Sequence, residues 1–156
     1  FIDEARLKGA KPVLVTPTRR RRFDKNGKIL DTHGDYPAAI REIAAREKVP
    51  VIDLQEMTKV LCEAMGIEES KHLYTHYPAN TYPGQVKELK DNTHFNTFGA
   101  YEVAKCVIEG IKQANLPIAK DLKADYKEFD PAHPDAFKDF KWNLSPISQV
   151  KKPDGN

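Results

Sequence analysis

The sequence has 156 residues, a mass of 17.7 kDa and a formal net charge of +2 at pH 7, a size that fits one globular domain. Hydrophobic residues make up 40% and charged residues 31%, and no apolar run approaches the ~18 residues of a membrane-spanning helix. The near balance of charge gives no reason to expect nucleic acid or a membrane as a partner. Two cysteines, Cys62 and Cys106, are too few for a disulfide framework or a cysteine-based zinc site.

Short apolar strands alternate with amphipathic helices along most of the chain. In chain order, the pattern predicts a helix at 1–8, a strand at 13–16, a helix capped by Asp35, a strand at 49–54, a helix capped by Asp53 and ended by Gly66, a loop at 67–90, and a helix capped by Asn96 and stopped by Pro117. The strand at 13–16 is continuously apolar, which is typical of a strand buried on both faces. The last helix is expected to bury the face formed by Tyr101, Ala104, Val107, Ile108 and Ile111.

This alternation indicates βαβ units, and therefore an α/β fold with a parallel sheet covered by helices on both sides. Only two strands are evident, whereas typical sheets have ~4–6. Because the sequence also begins at Phe1 without Met, we expect the remaining strands to precede it in a longer protein. Residues 116–156 contain several prolines and are expected to form an extended tail, packed on the domain through Phe129, Phe137, Phe140, Trp142 and Leu144.

The strongest chemical signal is the motif Asp91-Asn92-Thr93-His94, directly before the last helix. In a turn, a carboxylate three residues ahead of a histidine can accept the Nδ1–H of the ring, which leaves Nε2 as a general base. A helix N-terminus disfavours an imidazolium, and the charge of Asp91 would offset that effect when His94 accepts a proton. The alternative is a polar turn in which Asp91 is only a local hydrogen-bond acceptor.

The segment from Asp91 to Ala104, DNTHFNTFGAYEVA, resembles the last conserved block of the SGNH/GDSL hydrolases. In that superfamily, the Asp and His of a Ser-His-Asp triad lie on D-x-x-H shortly before the final helix. Further blocks are similar to the second half of bacterial rhamnogalacturonan acetylesterases, and the resemblance extends in order over residues 1–115. These blocks are Val13–Pro17, Arg19–Arg22, Thr32–Pro37 and Val49–Leu54.

The resemblance implies a three-layer α/β/α SGNH hydrolase, of which residues 1–115 would be the C-terminal part. It implies that Asp91 and His94 are catalytic, that no cofactor or metal is needed, and that an acetylated acidic polysaccharide such as rhamnogalacturonan is the substrate. It also implies a secreted or periplasmic location. Two alternatives remain open. One is an SGNH esterase for another acyl ester, such as a xylan, lipid or aryl ester, and the other is a non-catalytic carbohydrate-binding or interaction module.

The blocks that carry the nucleophile and the oxyanion hole in this superfamily are not present in the sequence. The superfamily places its serine in a Gly-Asp-Ser block and one oxyanion donor in a Gly-x-Asn-Asp block. The only serines here are Ser70, Ser145 and Ser148, and none follows a predicted strand at the start of a helix. We therefore expect the nucleophile in the missing N-terminal half of the same protein, and we expect this chain to be inactive alone.

Four further residues are candidates for substrate binding: Arg19, Arg20, His33 and Tyr82. The run Arg19–Arg22 follows the first strand, at the edge where open α/β sheets bind ligands, and arginine pairs with the carboxylates of an acidic polysaccharide. The alternative is a solvated loop whose arginines pair with Asp24 or Asp31. For Tyr82 the choice is between stacking on a sugar ring and packing its loop onto the domain.

His72 and His76 are four residues apart, the spacing of two metal ligands on one helix face. No glutamate follows His72, so the zinc-protease pattern is absent; both are expected to be loop histidines, and a metal site is the alternative. Cys62 and Cys106 are expected to be small core residues. His133, between two prolines of the tail, is expected to have no role.

Overall fold

The structure, a computed structural model, describes residues 1–142; residues 143–156, which include Leu144, Ser145 and Ser148, lie outside the described part. Its helices and strands are α1 (Ile2–Leu7), β1 (Leu14–Val15), α2 (Tyr36–Glu47), β2 (Val51–Ile52), α3 (Leu54–Glu69), β3 (Tyr74–Tyr77), β4 (Leu89–Phe95) and α4 (Thr97–Gln113). Short 3-10 helices occur at Ser70–Leu73, Pro117–Asp121 and Phe137–Asp139. This mixture of helices and small sheets agrees with the predicted α/β class. Within residues 1–142, every helix is too short or too polar to cross a membrane.

The two predicted strands pair in parallel, with α2 between them in the chain. Leu14 is opposite Val51, and Val15 is opposite Ile52. The prediction that the first strand is buried on both faces is wrong for the described residues, because Val15 keeps 45% of its surface exposed. Ile52 is 4% exposed and packs against Gly110 of α4. One face of the strand pair is thus covered by α4.

The segment predicted as a loop at 67–90 instead contains β3 and the start of β4, which form an antiparallel hairpin. Tyr74 is opposite Phe95, and His76 is opposite Lys90, with an irregularity in the register between these two pairs. The prediction failed because the strands are largely polar: no residue of β4 is buried, so apolar alternation could not mark it. The D-x-x-H motif therefore lies on a strand, where the sequence suggested a turn.

Three of the five predicted helix signals are confirmed, and α4 already ends at Gln113, before Pro117. Asp53 accepts a hydrogen bond from the backbone N–H three residues on, at 3.4 Å, and Asn96 accepts one from Gly99 at 2.9 Å. Gly66, at φ +73°, interrupts α3. Asp35 stands at the N-cap of α2, but its side chain makes no capping bond, so that prediction is wrong. Its backbone is already helical, at φ −81° and ψ −7°, whereas a capping side chain works from an extended backbone.

The predicted buried face of α4 is confirmed only in part: Val107 and Ile111 pack against the core. Tyr101 is 39% exposed, and the buried stripe of the helix lies beside the predicted face. That stripe contains Phe98, Gly99, Glu102, Lys105, Cys106, Glu109 and Gly110. Residues that follow the helix cover its charged members. Lys105 Nζ lies 2.8 Å from the carboxylate of Asp135, and Glu109 accepts the backbone N–H of Phe129 at 3.0 Å. Apolar periodicity could not find this face because several of its buried residues are charged, and they are paired both within the helix and with the segment that follows it.

Aromatic residues attach the segment after α4 to the rest of the chain. Phe129 is 9% exposed. Phe137 stacks on His72 with 4.2 Å between ring centroids, and Phe140 lies 5.2 Å from Phe98. The segment after α4 is thus packed on the rest of the chain through these three aromatic residues. The division of the chain into two parts at residue 115 stays a prediction.

Cys62 and Cys106 are fully buried free thiols, which confirms them as small core residues. Burial raises the pKa of Cys62 to about 11 and the pKa of Cys106 to about 12, so both stay protonated near neutral pH. The Cys62 Sγ lies 3.5 Å from the hydroxyl of Tyr74, which itself donates to the Arg19 carbonyl at 2.7 Å. The core beneath the hairpin is therefore tied to the loop that follows β1.

Gly99 allows α4 to lie directly against the backbone at Leu73. A Cβ at position 99 would stand 1.9 Å from the Leu73 carbonyl oxygen. We predict that Gly99→Ala lowers the free energy of unfolding by about 2–3 kcal/mol, since the backbone must shift to relieve the overlap. Denaturant unfolding of the two proteins measures this difference. Ala100→Ser, at the exposed next position, should change it by less than about 0.5 kcal/mol, and equal stability of the two variants would contradict the close approach.

Candidate active site

Asp91 and His94 form a hydrogen-bonded pair on β4. The Asp91 Oδ2 lies 2.6 Å from the His94 Nδ1. The other carboxylate oxygen accepts the backbone N–H of Thr93 at 2.7 Å and that of His94 at 3.1 Å. The side-chain bond to His94, followed by these two backbone bonds, lowers the pKa of Asp91 to about 2. The carboxylate is therefore ionised at neutral pH and acts only as an acceptor.

The protonation state of Asp91 determines the tautomer of His94. Because the carboxylate accepts, Nδ1 must carry the proton, and the neutral ring presents Nε2 as a proton acceptor. The His94 side chain is 78% exposed, and that of Asp91 is 36% exposed. The pair is thus an oriented base at the surface of the described residues, which is the arrangement that general-base catalysis requires.

Arg21 holds β4 in place from the loop after β1. Its backbone N–H donates to the Asn92 carbonyl at 2.8 Å, and its Nη1 donates to the Asn92 side-chain oxygen at 2.9 Å. The same guanidinium donates to Ser70 Oγ at 3.0 Å and to the Ile67 carbonyl. His76 Nε2 also lies 2.8 Å from the Asn92 side-chain oxygen. Asn92, the residue after Asp91, is therefore fixed through its main chain and its side chain.

Asn96 fixes the other end of the motif, two residues after His94. Its side-chain oxygen caps α4, while its Nδ2 donates to the His72 carbonyl at 2.8 Å and to the Tyr74 carbonyl at 2.9 Å. Its backbone N–H donates to the Leu73 carbonyl at 3.1 Å. The sequence indicated Asn96 as a helix cap only. The roles of Arg21 and Asn92 had no sequence signal, because their partners are distant along the chain.

The structure divides the arginine run into two pairs. Arg19 and Arg21 are buried, whereas Arg20 and Arg22 are exposed. The Arg19 side chain is 7% exposed and lies 3.2 Å from Asp31 and 3.3 Å from Glu56. Its guanidinium thus pairs within the protein, so the expectation that Arg19 binds substrate is corrected. Pairing with Asp31 was the alternative that the sequence left open.

Among residues 1–142, no hydrogen bond or ion pair links His33 or Tyr82 to the Asp91–His94 pair. The His33 backbone N–H donates to Asp31 at 2.9 Å. Tyr82 lies on the hairpin loop with its ring 5.1 Å from that of Tyr77. Burial, with a hydrogen bond to Tyr82, raises the pKa of Tyr77 to about 12. Tyr82 is still 50% exposed, so its sugar-binding role stays a prediction.

His72 and His76 do not share a helix. His72 lies on a 3-10 helix and stacks on Phe137, and His76 lies on β3 with its Nε2 at Asn92. Among the described residues, no group of three or more His, Cys, Asp or Glu side chains is arranged to hold a metal ion. Ser70, the serine within residues 1–142, is fully buried and accepts from Arg21, so its hydroxyl serves to anchor Arg21.

A second pair with the same spacing lies in the segment after α4. His133 Nδ1 is 2.8 Å from Asp130 Oδ2, and Asp130 Oδ1 accepts the Ala132 N–H at 2.9 Å. His133 is 83% exposed and lies in a chain segment without regular structure. The D-x-x-H spacing and its Asp–His hydrogen bond thus occur twice within residues 1–142. Of the two pairs, only the one at 91–94 lies on a strand that other residues hold in place.

Comparison with curated proteins finds relatives among the acetylesterases. The chain is 52% identical over 122 residues to the rhamnogalacturonan acetylesterase RhgT of Bacillus subtilis (strain 168). It is 36% identical over 122 residues to the probable rhamnogalacturonan acetylesterase YesY of the same strain. Each match covers 78% of this chain, and the chain spans about half the length of these relatives, 53% and 52%. No family model and no solved structure matches the chain. The predicted resemblance to rhamnogalacturonan acetylesterases is thereby confirmed over the matched residues.

The low pKa of Asp91 depends first on His94. We predict that His94→Ala raises the Asp91 pKa from about 2 towards the unperturbed value of about 3.9, because the largest stabilising bond to the carboxylate is lost. NMR titration of the side-chain carboxyl carbons measures this change. His133→Ala is the matched control: it should raise the pKa of Asp130 and leave that of Asp91 at its original value. An Asp91 pKa that does not respond to His94→Ala would disprove the bond.

The same pair should make stability depend on pH in acid. The folded-state pKa of Asp91 lies below the unfolded value, so its contribution is present above about pH 4 and is lost as the pH falls towards 2. We therefore expect Asp91→Asn to be less stable than the original protein at pH 5 and to approach it at pH 2. Thermal unfolding at a series of pH values tests this, and a stability difference that stays constant from pH 5 to pH 2 would contradict it.

Proposed function

We propose that the protein to which this sequence belongs removes acetyl groups from a pectic polysaccharide such as rhamnogalacturonan by a Ser-His-Asp mechanism. The observation that carries the proposal is the Asp91–His94 pair, an oriented general base at 2.6 Å, within a chain that is 52% identical to a rhamnogalacturonan acetylesterase. The spacing recurs at Asp130 and His133, so the motif by itself would not be enough. Its place in the strand before the last helix and the similarity to acetylesterases support it together.

In the proposed reaction, His94 Nε2 takes the hydroxyl proton of a serine that lies outside this sequence. The serine oxygen adds to the acetyl carbonyl, and the tetrahedral intermediate collapses as the imidazolium returns the proton to the departing sugar oxygen. Water then attacks the acetyl-serine, again with His94 as the base, and acetate leaves as the bond to the serine oxygen breaks and the imidazolium returns the proton to that oxygen. Asp91 stabilises the imidazolium in both halves of the reaction. Its charge also offsets the nearby N-terminus of α4, which disfavours a cation.

We extend the proposal to the fold and to this chain alone. The parallel pair β1–β2, with α2 between the strands, is the kind of unit from which a three-layer α/β/α SGNH sheet is built. Further strands and the serine block would come from residues outside this sequence, so the chain by itself should lack esterase activity. Export to the periplasm or the medium is part of the same proposal.

Removal of the base should abolish turnover. In the full-length protein, we predict that His94→Ala lowers kcat/KM for acetate release from acetylated rhamnogalacturonan by about 10³-fold or more, as loss of a triad member does. Acetate release measured enzymatically gives the rate. His133→Ala removes the histidine of the second pair and should retain the original rate.

The outcomes separate the three functions under consideration. Activity on acetylated xylan or an aryl acetate, without activity on rhamnogalacturonan, would point to an SGNH esterase of different substrate. Binding of the polysaccharide by the full-length protein without any ester hydrolysis would show a non-catalytic module. Full activity of His94→Ala would overturn the assignment of the base.

A further inference from the structure

The exposed arginines of the loop after β1 lie beside the candidate catalytic pair. Arg21 donates its backbone N–H to the Asn92 carbonyl, which joins the arginine run to β4. The side chain of Arg21 is buried, whereas those of Arg20 and Arg22 are exposed. Both arginines line an open cavity of about 470 Å³ together with Lys90, Asp91, Asn92 and Thr93.

The positive charges of this cavity are only partly neutralised. Lys90 Nζ lies 2.8 Å from Glu88. Both carboxylate oxygens of Asp91 already accept hydrogen bonds, one from the His94 ring and the other from the backbone N–H groups of Thr93 and His94. Within residues 1–142, neither Arg20 nor Arg22 has a carboxylate within ion-pair distance, in contrast to Arg19, which has two. Two guanidinium groups are thus available to an anion from outside the protein.

We infer that Arg20, Arg22 and Lys90 form a carboxylate-binding subsite next to the catalytic base, for a uronic acid of the bound polysaccharide. A guanidinium matches a carboxylate with two parallel hydrogen bonds, and Lys90 adds a point charge. The inference rests on the proposed function for the nature of the polysaccharide. It adds that the enzyme distinguishes an acidic backbone from a neutral ester through residues that the reaction itself does not use.

The structure also explains why alternate arginines would have different roles. Arg19 and Arg21 are buried and bonded to the protein, so they set the course of the loop. Arg20 and Arg22 are then held at a fixed place relative to β4, because the loop that carries them is bonded to Asn92. A flexible basic loop would attract a polyanion without selecting a position. This arrangement would hold the substrate carboxylate at a fixed place relative to the Asp91–His94 pair.

The test compares Arg20→Gln/Arg22→Gln with Lys11→Gln/Lys25→Gln in the full-length protein. The control removes the same charge from exposed positions away from the cavity. Two measurements are made on each protein: the Kd for de-acetylated rhamnogalacturonan, and the KM and kcat for its acetylated form and for 4-nitrophenyl acetate. We expect the arginine variant to weaken binding and raise KM for the acidic polymer by about tenfold. Hydrolysis of 4-nitrophenyl acetate should stay unchanged.

Two further conditions sharpen the result. Reduction of the uronic acids to neutral sugars should raise the KM of the original protein and remove the difference between the variants. Salt at 0.5 M should weaken binding by the original protein more than by the arginine variant, because the contact is electrostatic. The control pair should follow the original protein in both conditions.

The outcomes distinguish this inference from the proposed function. An unchanged Kd and KM in the arginine variant, or an equal loss in the control, would overturn the subsite and leave the esterase proposal standing. Equal loss of activity on the polymer and on 4-nitrophenyl acetate would also overturn it, since the arginines would then support the catalytic geometry. Arginine-dependent binding without ester hydrolysis would support the subsite and overturn the proposed function.

Discussion

The structure around the candidate site depends on the hydrogen bonds of one side chain, that of Asn96. Its oxygen accepts from the first turn of α4, and its nitrogen donates to two carbonyls at the entrance of β3. An amide is suited to this place because it donates and accepts at once, which a carboxylate cannot do. The close approach of Gly99 to the Leu73 carbonyl belongs to the same junction. The position of His94 follows, since it precedes this junction by two residues.

The loop after β1 adds a second constraint on the site, because it carries the buried positive charge of Arg21. The Arg21 guanidinium is 8% exposed and is bonded to a hydroxyl, an amide oxygen and a main-chain carbonyl, all of them neutral acceptors. A buried cation without such partners would be costly, so these bonds are what make its burial tolerable. In return, β4 is held at Asn92 although none of its residues is buried. Polar contacts thus fix β4 at Asn92, while Phe95 at its end packs against the core.

The sequence allowed the paired strands, three helix signals and the Asp91–His94 bond to be predicted, because each depends on neighbours in the chain or on apolar pattern. It could not show that the buried face of α4 includes charged residues such as Lys105 and Glu109, which contact residues some 20 to 30 positions further on. It also could not show which arginines are buried. A run of four identical residues carries no periodicity, and only the partners at Asn92 and Asp31 distinguish them.

The two attachments of the site differ in the length of chain that each must close. The bonds of Asn96 to the hairpin join residues 22 and 24 positions apart, while the bond of Arg21 to Asn92 spans 71. The entropic free-energy cost of closing the longer loop is greater by about 1 kcal/mol. The hairpin and the cap of α4 are therefore a local unit that can form with little loss of chain freedom. The arginine loop joins it at a higher entropic cost, and through it the geometry of the motif depends on residues from the first third of the chain.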